Sequence, residues 1–291
     1  MKKTLLLILT ILTGSCGLNE PAKPERIISV SIAPFEYFVK TIGAGDFQGN
    51  VMVPAGASPH VYEPSPGQIN MLRKSSAYVS NGFLGFEMSW LPKFYDVNKT
   101  MEKLSLGDYI NLIEAEHAHE GEHAEKADPH FWVSPKNASV IALKIKDLLC
   151  RLNPGEAEKY GANYDSLVIK IKDLERKAED LFADHKGNIF ITYHPTLAYL
   201  ARDYGLEELT LEHDGKEPSP ARVKELIDIA RSNNIKKVFL TREYDKRQVE
   251  ALSSETGAEI VVIDPLSPDW FQSVQLIIME LHESFIQSPE K

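Results

Sequence analysis

Cysteine is nearly absent from this sequence: 291 residues contain two, Cys16 and Cys150. Two thiols exclude a disulfide-stapled scaffold and any zinc site built mainly on thiolates. Basic charge is also short, with 32 Lys+Arg against 42 Asp+Glu and a formal net charge of −10. That deficit excludes a sequence-independent nucleic-acid binder, which needs a basic face. The apolar run from Thr4 to Leu12 falls short of the ~20 residues a membrane-spanning helix needs. No G-x-S-x-G elbow, P-loop or dinucleotide fingerprint occurs, which removes the best-marked hydrolase and nucleotide-dependent classes. What remains is 43% hydrophobic and 25% charged, with nine His. This is globular composition, and the length suggests two domains of ~150 residues each. With thiols excluded, a borderline metal would have to be carried by histidine.

Residues 1–15 have the plan of a secretory signal: Lys2 and Lys3, an apolar run, then small residues. The small residues end in Gly14-Ser15-Cys16, which resembles the lipobox of bacterial lipoproteins, although Thr13 stands where Leu is usual. The resemblance implies acylation of Cys16 and an exported, lipid-anchored chain on the periplasmic or extracellular face of a bacterial membrane. Residues 16–25, with two prolines and no apolar periodicity, read as anchor and tether. Cys150, within an amphipathic stretch, reads as a small buried hydrophobe.

Beyond the tether, β-branched apolar runs alternate with helical patterns. Strands are expected at 26–32, 50–54, 77–81 and 102–106, and again at 188–193, 207–212, 236–241 and 259–264. Helices are expected near 34–43, 66–75, 84–96 and 135–151, then 195–204, 219–233, 245–256 and 269–287. This order implies βαβ units and parallel sheets, hence an α/β protein of two similar lobes, 26–152 and 186–291. Between them, in 153–185, Tyr160, Tyr164, Leu167, Ile171, Leu174, Ala178 and Leu181 recur at steps of four and three. That spacing is one face of a long helix, opened by Asn153 as cap and Pro154 in the first turn. About 30 residues at ~1.5 Å rise make a rod of about 45 Å, suited to a stiff connector. The segment 114–128 is acidic, His-rich and free of large apolar residues, so it reads as a surface loop.

Four residues share one structural address. His60 follows the strand at 50–54, His130 leaves the loop ahead of the helix at Pro135, His194 ends the strand at 188–193, and Asp264 ends the strand at 259–264. Parallel sheets bind ligands beyond the C-terminal ends of their strands. With two of the four from each lobe, an inter-lobe cleft offers three imidazoles and one carboxylate, a complete four-coordinate set for Zn²⁺. A single His at a strand end is more often a hydrogen-bonded structural residue, so the shared address carries the reading.

The words around these residues add to it. GASPHVYEPSP (56–66), NGFLGFEMSW (81–90), DPHFWVSP (128–135), YHPTLAYLARDYGL (193–206), EPSPARVKEL (217–226) and VIDPL (262–266) occur in order. Together they resemble the sequence blocks of the metal-binding receptors of bacterial ABC importers for zinc and manganese. The resemblance covers nearly all of the chain after the tether. It implies two α/β lobes joined by a rigid helix, with one metal held between them by His60, His130, His194 and Asp264. It also implies a receptor that hands its ion to a membrane permease driven by an ATPase subunit; a monomer is expected. In that family His at the third position goes with zinc and Glu with manganese, and here it is His194. The donor chemistry agrees, because imidazole suits Zn²⁺ and Mn²⁺ favours oxygen. A manganese or iron receptor is the alternative within the family.

His117, His119 and His123 in the loop read as a weak, exchangeable metal-collecting segment, against the plainer reading of incidental histidines in a solvated acidic loop. His185, His213 and His282 are taken as structural or surface residues. HEGEH (119–123) satisfies the H-E-x-x-H zinc-protease pattern, but Gly121 and polar flanks leave no apolar stripe to bury such a helix. A zinc metallohydrolase using His60, His130, His194 and Asp264 is a reading of another class. Against it, catalytic zinc usually keeps one position open for water. A surface adhesin with a metal site is the third.

Overall fold

The computed structural model of the protein describes residues 26–114, 127–212 and 217–286. The signal segment, Cys16, the tether, His117, His119, His123 with the HEGEH motif, and His213 lie outside the described residues.

The first lobe has strands β1 (Ile27–Ile32), β2 (Gln48–Val53), β3 (Ser75–Ser80) and β4 (Glu102–Ser105), with helices α1 (Ala33–Gly43), α2 (Pro66–Leu72), α3 (Gly85–Val97) and α4 (Pro135–Leu152). After α5 (Ala157–Phe182), the second lobe has β5 (Ile189–Thr192), β6 (Glu207–Thr210), β7 (Lys237–Thr241) and β8 (Glu259–Ile263). These alternate with α6 (Ala198–Tyr204), α7 (Pro220–Ser232) and α8 (Arg247–Thr256), and α9 (Trp270–Phe285) closes the chain. Every expected strand and helix is present. Both sheets are parallel and four-stranded, in orders β2-β1-β3-β4 and β6-β5-β7-β8. In each lobe the chain runs outward on one side of its first strand and then on the other, so each sheet has a topological switch point. No described helix is long and apolar enough to cross a membrane.

One hydrophobic core runs through the first lobe, along α5, and into the helical layer of the second lobe. A smaller cluster, including Ile191, Leu226, Val238 and Val249, lies in the second lobe alone. The connector differs from its expected form in two ways. Pro154–Glu156 form a 3₁₀ turn and the α-helix starts at Ala157. Asn153 makes no side-chain cap; its amide donates to Tyr160 Oη, which in turn donates to Asp46. The buried face also drifts: Phe182, rather than Leu181, ends the row from Tyr160 through Ile171 and Ala178. A 3.5-residue repeat slips by ~20° per heptad against a 3.6-residue helix, which brings the next residue inward by the third heptad.

The lobes are also tied directly. Trp132 Nε1–H donates to Pro265 O at 2.9 Å, and Trp270 Nε1–H donates to Trp132 O at 2.7 Å. Both indoles are fully buried, so these bonds satisfy donors that would otherwise carry a desolvation cost. Ser134 Oγ bonds Asp203, and Tyr199 Oη donates to Asp128 O. Such a shared core and hydrogen-bonded seam argue for small relative motion of the lobes.

Candidate metal centre

His60 sits on the irregular segment after β2, which docks on the start of α3 through Phe86 N–H to Pro59 O at 3.1 Å. That approach needs glycine at 85: a Cβ there would lie 2.5 Å from the His60 carbonyl oxygen and 3.1 Å from its Cα.

His130 is aimed from two sides. Its backbone N–H and its Nδ1 both meet Asp128 Oδ1, at 2.7 and 3.0 Å. The Asn81 side-chain amide, at the end of β3, donates to Pro129 O at 2.9 Å. Asn81 is itself held by Glu87, whose buried carboxylate accepts the backbone N–H groups of Asn81 and Gly82 and the Ser31 hydroxyl. Burial raises the Glu87 carboxyl to about 6 against these bonds.

His194 follows β5. Its Nδ1 lies 3.0 Å from Glu212 Oε2 at the end of the β6 segment, with both side chains buried. The carboxylate selects the Nδ1–H tautomer and leaves the Nε2 lone pair facing the cleft. Burial pushes the His194 imidazole down to about 4; the Glu212 bond opposes this, while His130 and His60 add to it. The ring is therefore neutral and able to accept a metal at neutral pH. Next to it, Glu208 accepts the N–H groups of Thr196 and Leu197 and the Thr192 hydroxyl. α6 starts just after these residues, at Ala198 and not near 195.

Three histidines meet. Ligand atoms of His60, His130 and His194 all lie within 4.8 Å of one another, and this is the metal-competent cluster among the described residues. The Nε2 atoms of His60 and His194 are 3.0 Å apart. Two nitrogens at ~2.0–2.1 Å from a tetrahedral zinc would sit ~3.3 Å apart, so the His60–His194 pair needs a few tenths of an ångström of adjustment, and the wider separations in the cluster, up to 4.8 Å, close further around an ion. Ring centroids are 4.8, 5.1 and 5.7 Å apart.

Asp264 follows β8 at the same edge of the second sheet but is not in that cluster. Its carboxylate accepts from Arg242 Nη1 at 3.1 Å. Glu243, at the end of β7, interacts electrostatically with both His130 and Asp264, and burial raises its carboxyl above the usual range.

Four acidic residues of this site escape sequence reasoning. Asp128 carried a signal, because a carboxylate two residues before a ligand can reach the same imidazole. Glu212, Glu243 and Glu87 carried none that singles them out from 42 acidic residues.

The chain is similar along most of its length to proteins already described. The family model for ZnuA, the periplasmic component A of the zinc-uptake complex, matches residues 28–282. The zinc-binding lipoprotein AdcA of Streptococcus pneumoniae is 27% identical over 281 residues, covering 91% of this chain and 56% of that protein. The chain thus spans little more than half the length of AdcA. The high-affinity zinc uptake system protein ZnuA of Bacillus subtilis is 25% identical over 276 residues, covering 88% and 85%. Among solved structures, a ZnuA crystal structure superposes with a TM-score of 0.83 at 33% identity, covering 90% of this chain and all of that one. From its first strand to its last helix, the chain belongs to the ZnuA family of periplasmic zinc-uptake components.

Proposed function

We propose that the protein is an extracytoplasmic zinc receptor that delivers Zn²⁺ to an ABC-type importer, with His60, His130 and His194 as ligands. The observation that carries this reading is the convergence of three imidazoles, two of them oriented by carboxylates, in the cleft between the two sheets. Imidazole donors favour Zn²⁺ over Mn²⁺, and the relatives named for zinc support the same cargo. Asp264 supplies the fourth ligand by turning its carboxylate from Arg242 towards the imidazoles. A site filled by four protein ligands holds an ion and does not activate water, which is the task of a receptor and not of a hydrolase. The shared core and tryptophan seam favour loading through side-chain and loop adjustment. Delivery requires a membrane permease with its ATPase, and acylation of Cys16 would keep the receptor, as a monomer, beside it. The loop histidines His117, His119 and His123 act as a weak collecting segment.

The test is zinc binding by equilibrium dialysis with elemental analysis, followed by zinc/manganese competition. One tight, zinc-preferring site is expected, severely weakened by His60→Ala, His130→Ala or His194→Ala and retained on deletion of residues 115–125. Wild-type affinity in His194→Ala would overturn the ligand assignment.

A further inference from the structure

Two histidines remain outside this site and meet each other at the far end of the connector. His185 lies three residues beyond the end of α5, and His282 lies in the last turn of α9. Their ring centroids are 5.4 Å apart at an interplanar angle of 75°. That separation falls inside the 4.8–5.7 Å range of the three rings that form the cleft cluster. It also matches the ~5 Å expected of two imidazoles sharing a tetrahedral ion through metal–nitrogen bonds of ~2.0–2.1 Å.

Both rings are half-buried and set among aromatic neighbours that fix their planes. Phe285 lies against His185 at 5.4 Å, and Phe182 stands edge-on to His282 at 6.4 Å. His185 Nδ1 faces the Asn188 side-chain amide at 3.2 Å. The facing atom is Asn188 Nδ2, so His185 Nδ1 accepts from it here; rotating that amide by half a turn, to put its oxygen on Nδ1–H, is the rearrangement that frees Nε2 as a ligand atom. His282 shows no hydrogen bond to either ring nitrogen among the described residues, so it has coordination capacity to give. Burial and the neighbouring His185 lower the His282 imidazole below its ordinary value, outweighing Glu283, which keeps a lone pair available at neutral pH. The cation that pairs with Glu283, Lys237, is also held by Glu280, at 3.1 and 2.6 Å respectively.

The geometry points to a second divalent-cation site between His185 and His282, for an imidazole-preferring ion of the Zn²⁺, Ni²⁺ and Cu²⁺ class, that clips the end of the connecting helix to the terminal helix. Two protein ligands, with water completing the shell, make it weaker than the three-histidine cluster. Its existence does not depend on the cargo assigned to the cleft.

The test is a Zn²⁺ titration of the metal-free full-length protein at neutral pH, following the ring nitrogens by long-range ¹H–¹⁵N NMR. After the cleft histidines have responded, the His185 and His282 resonances are expected to shift together along one isotherm. His282→Gln should abolish the His185 response, and His185→Gln that of His282. Failure of either ring to shift up to millimolar Zn²⁺, independent isotherms, or an unchanged His185 response in His282→Gln would each overturn the proposal. If a variant fails to fold, the wild-type titration decides alone, because a shared ion requires the two rings to move in parallel.

Discussion

The neutral state of His194 is built into the fold, and the metal-free protein should bear a measurable cost for it in acid. An unfolded chain returns this imidazole to an ordinary pKa of ~6.5, whereas burial holds it at about 4 in the folded protein. Between those values the unfolded state binds more protons, so folding stability falls as the pH drops through this window. Linkage puts the loss between pH 7 and pH 5 at about 2 kcal/mol from this residue alone. Other groups titrate in the same range, so the decisive quantity is a difference. His194→Gln keeps a donor for Glu212 but cannot take a second proton. Urea unfolding of metal-free wild type and His194→Gln at pH 7 and pH 5 should therefore show a fall in stability larger for wild type by about 2 kcal/mol. Parallel curves for the two proteins would refute the claim that burial keeps this imidazole neutral.

Three other outcomes follow from the same geometry. Glu212→Gln replaces the carboxylate that holds His194 Nδ1–H and should weaken zinc binding about 10- to 100-fold, measured by competition with a chromogenic chelator, without loss of the folded state. Gly85→Ala would put a Cβ 2.5 Å from the His60 carbonyl oxygen and force the backbone there to shift, so zinc affinity and the thermal unfolding temperature should both fall, measured by chelator competition and calorimetry. Trp132→Phe removes the N–H that serves Pro265 O across the lobes; urea unfolding should show a loss of about 1–3 kcal/mol for the unpaired buried carbonyl.

The fold was largely legible because its signals are local. Period-two β-branched runs and period-3.6 stripes recur within short windows, and their alternation leaves parallel sheets as the economical solution. The errors came where side chains overrode the local pattern. Asn153 served Tyr160 instead of capping the connector, and Glu208, distant in sequence, took the amides of Thr196 and Leu197 just ahead of α6.

The candidate site divides along the same line. The sequence by itself determined that His60 and His194 follow strands and that His130 leaves the loop ahead of the helix at Pro135, because strand ends and helix starts are read from a few neighbouring residues. Only the tertiary structure decided that the three imidazoles converge, that Asp264 pairs with Arg242, and that Glu212 and the Glu87–Asn81 relay orient the ligands. It also moved His185 and His282 from incidental residues to contacting neighbours, although 97 positions separate them. Such pairings depend on how two lobes and a connector pack. Periodicity along one strand or helix carries no information about which distant carboxylate or imidazole will stand three to five ångströms away.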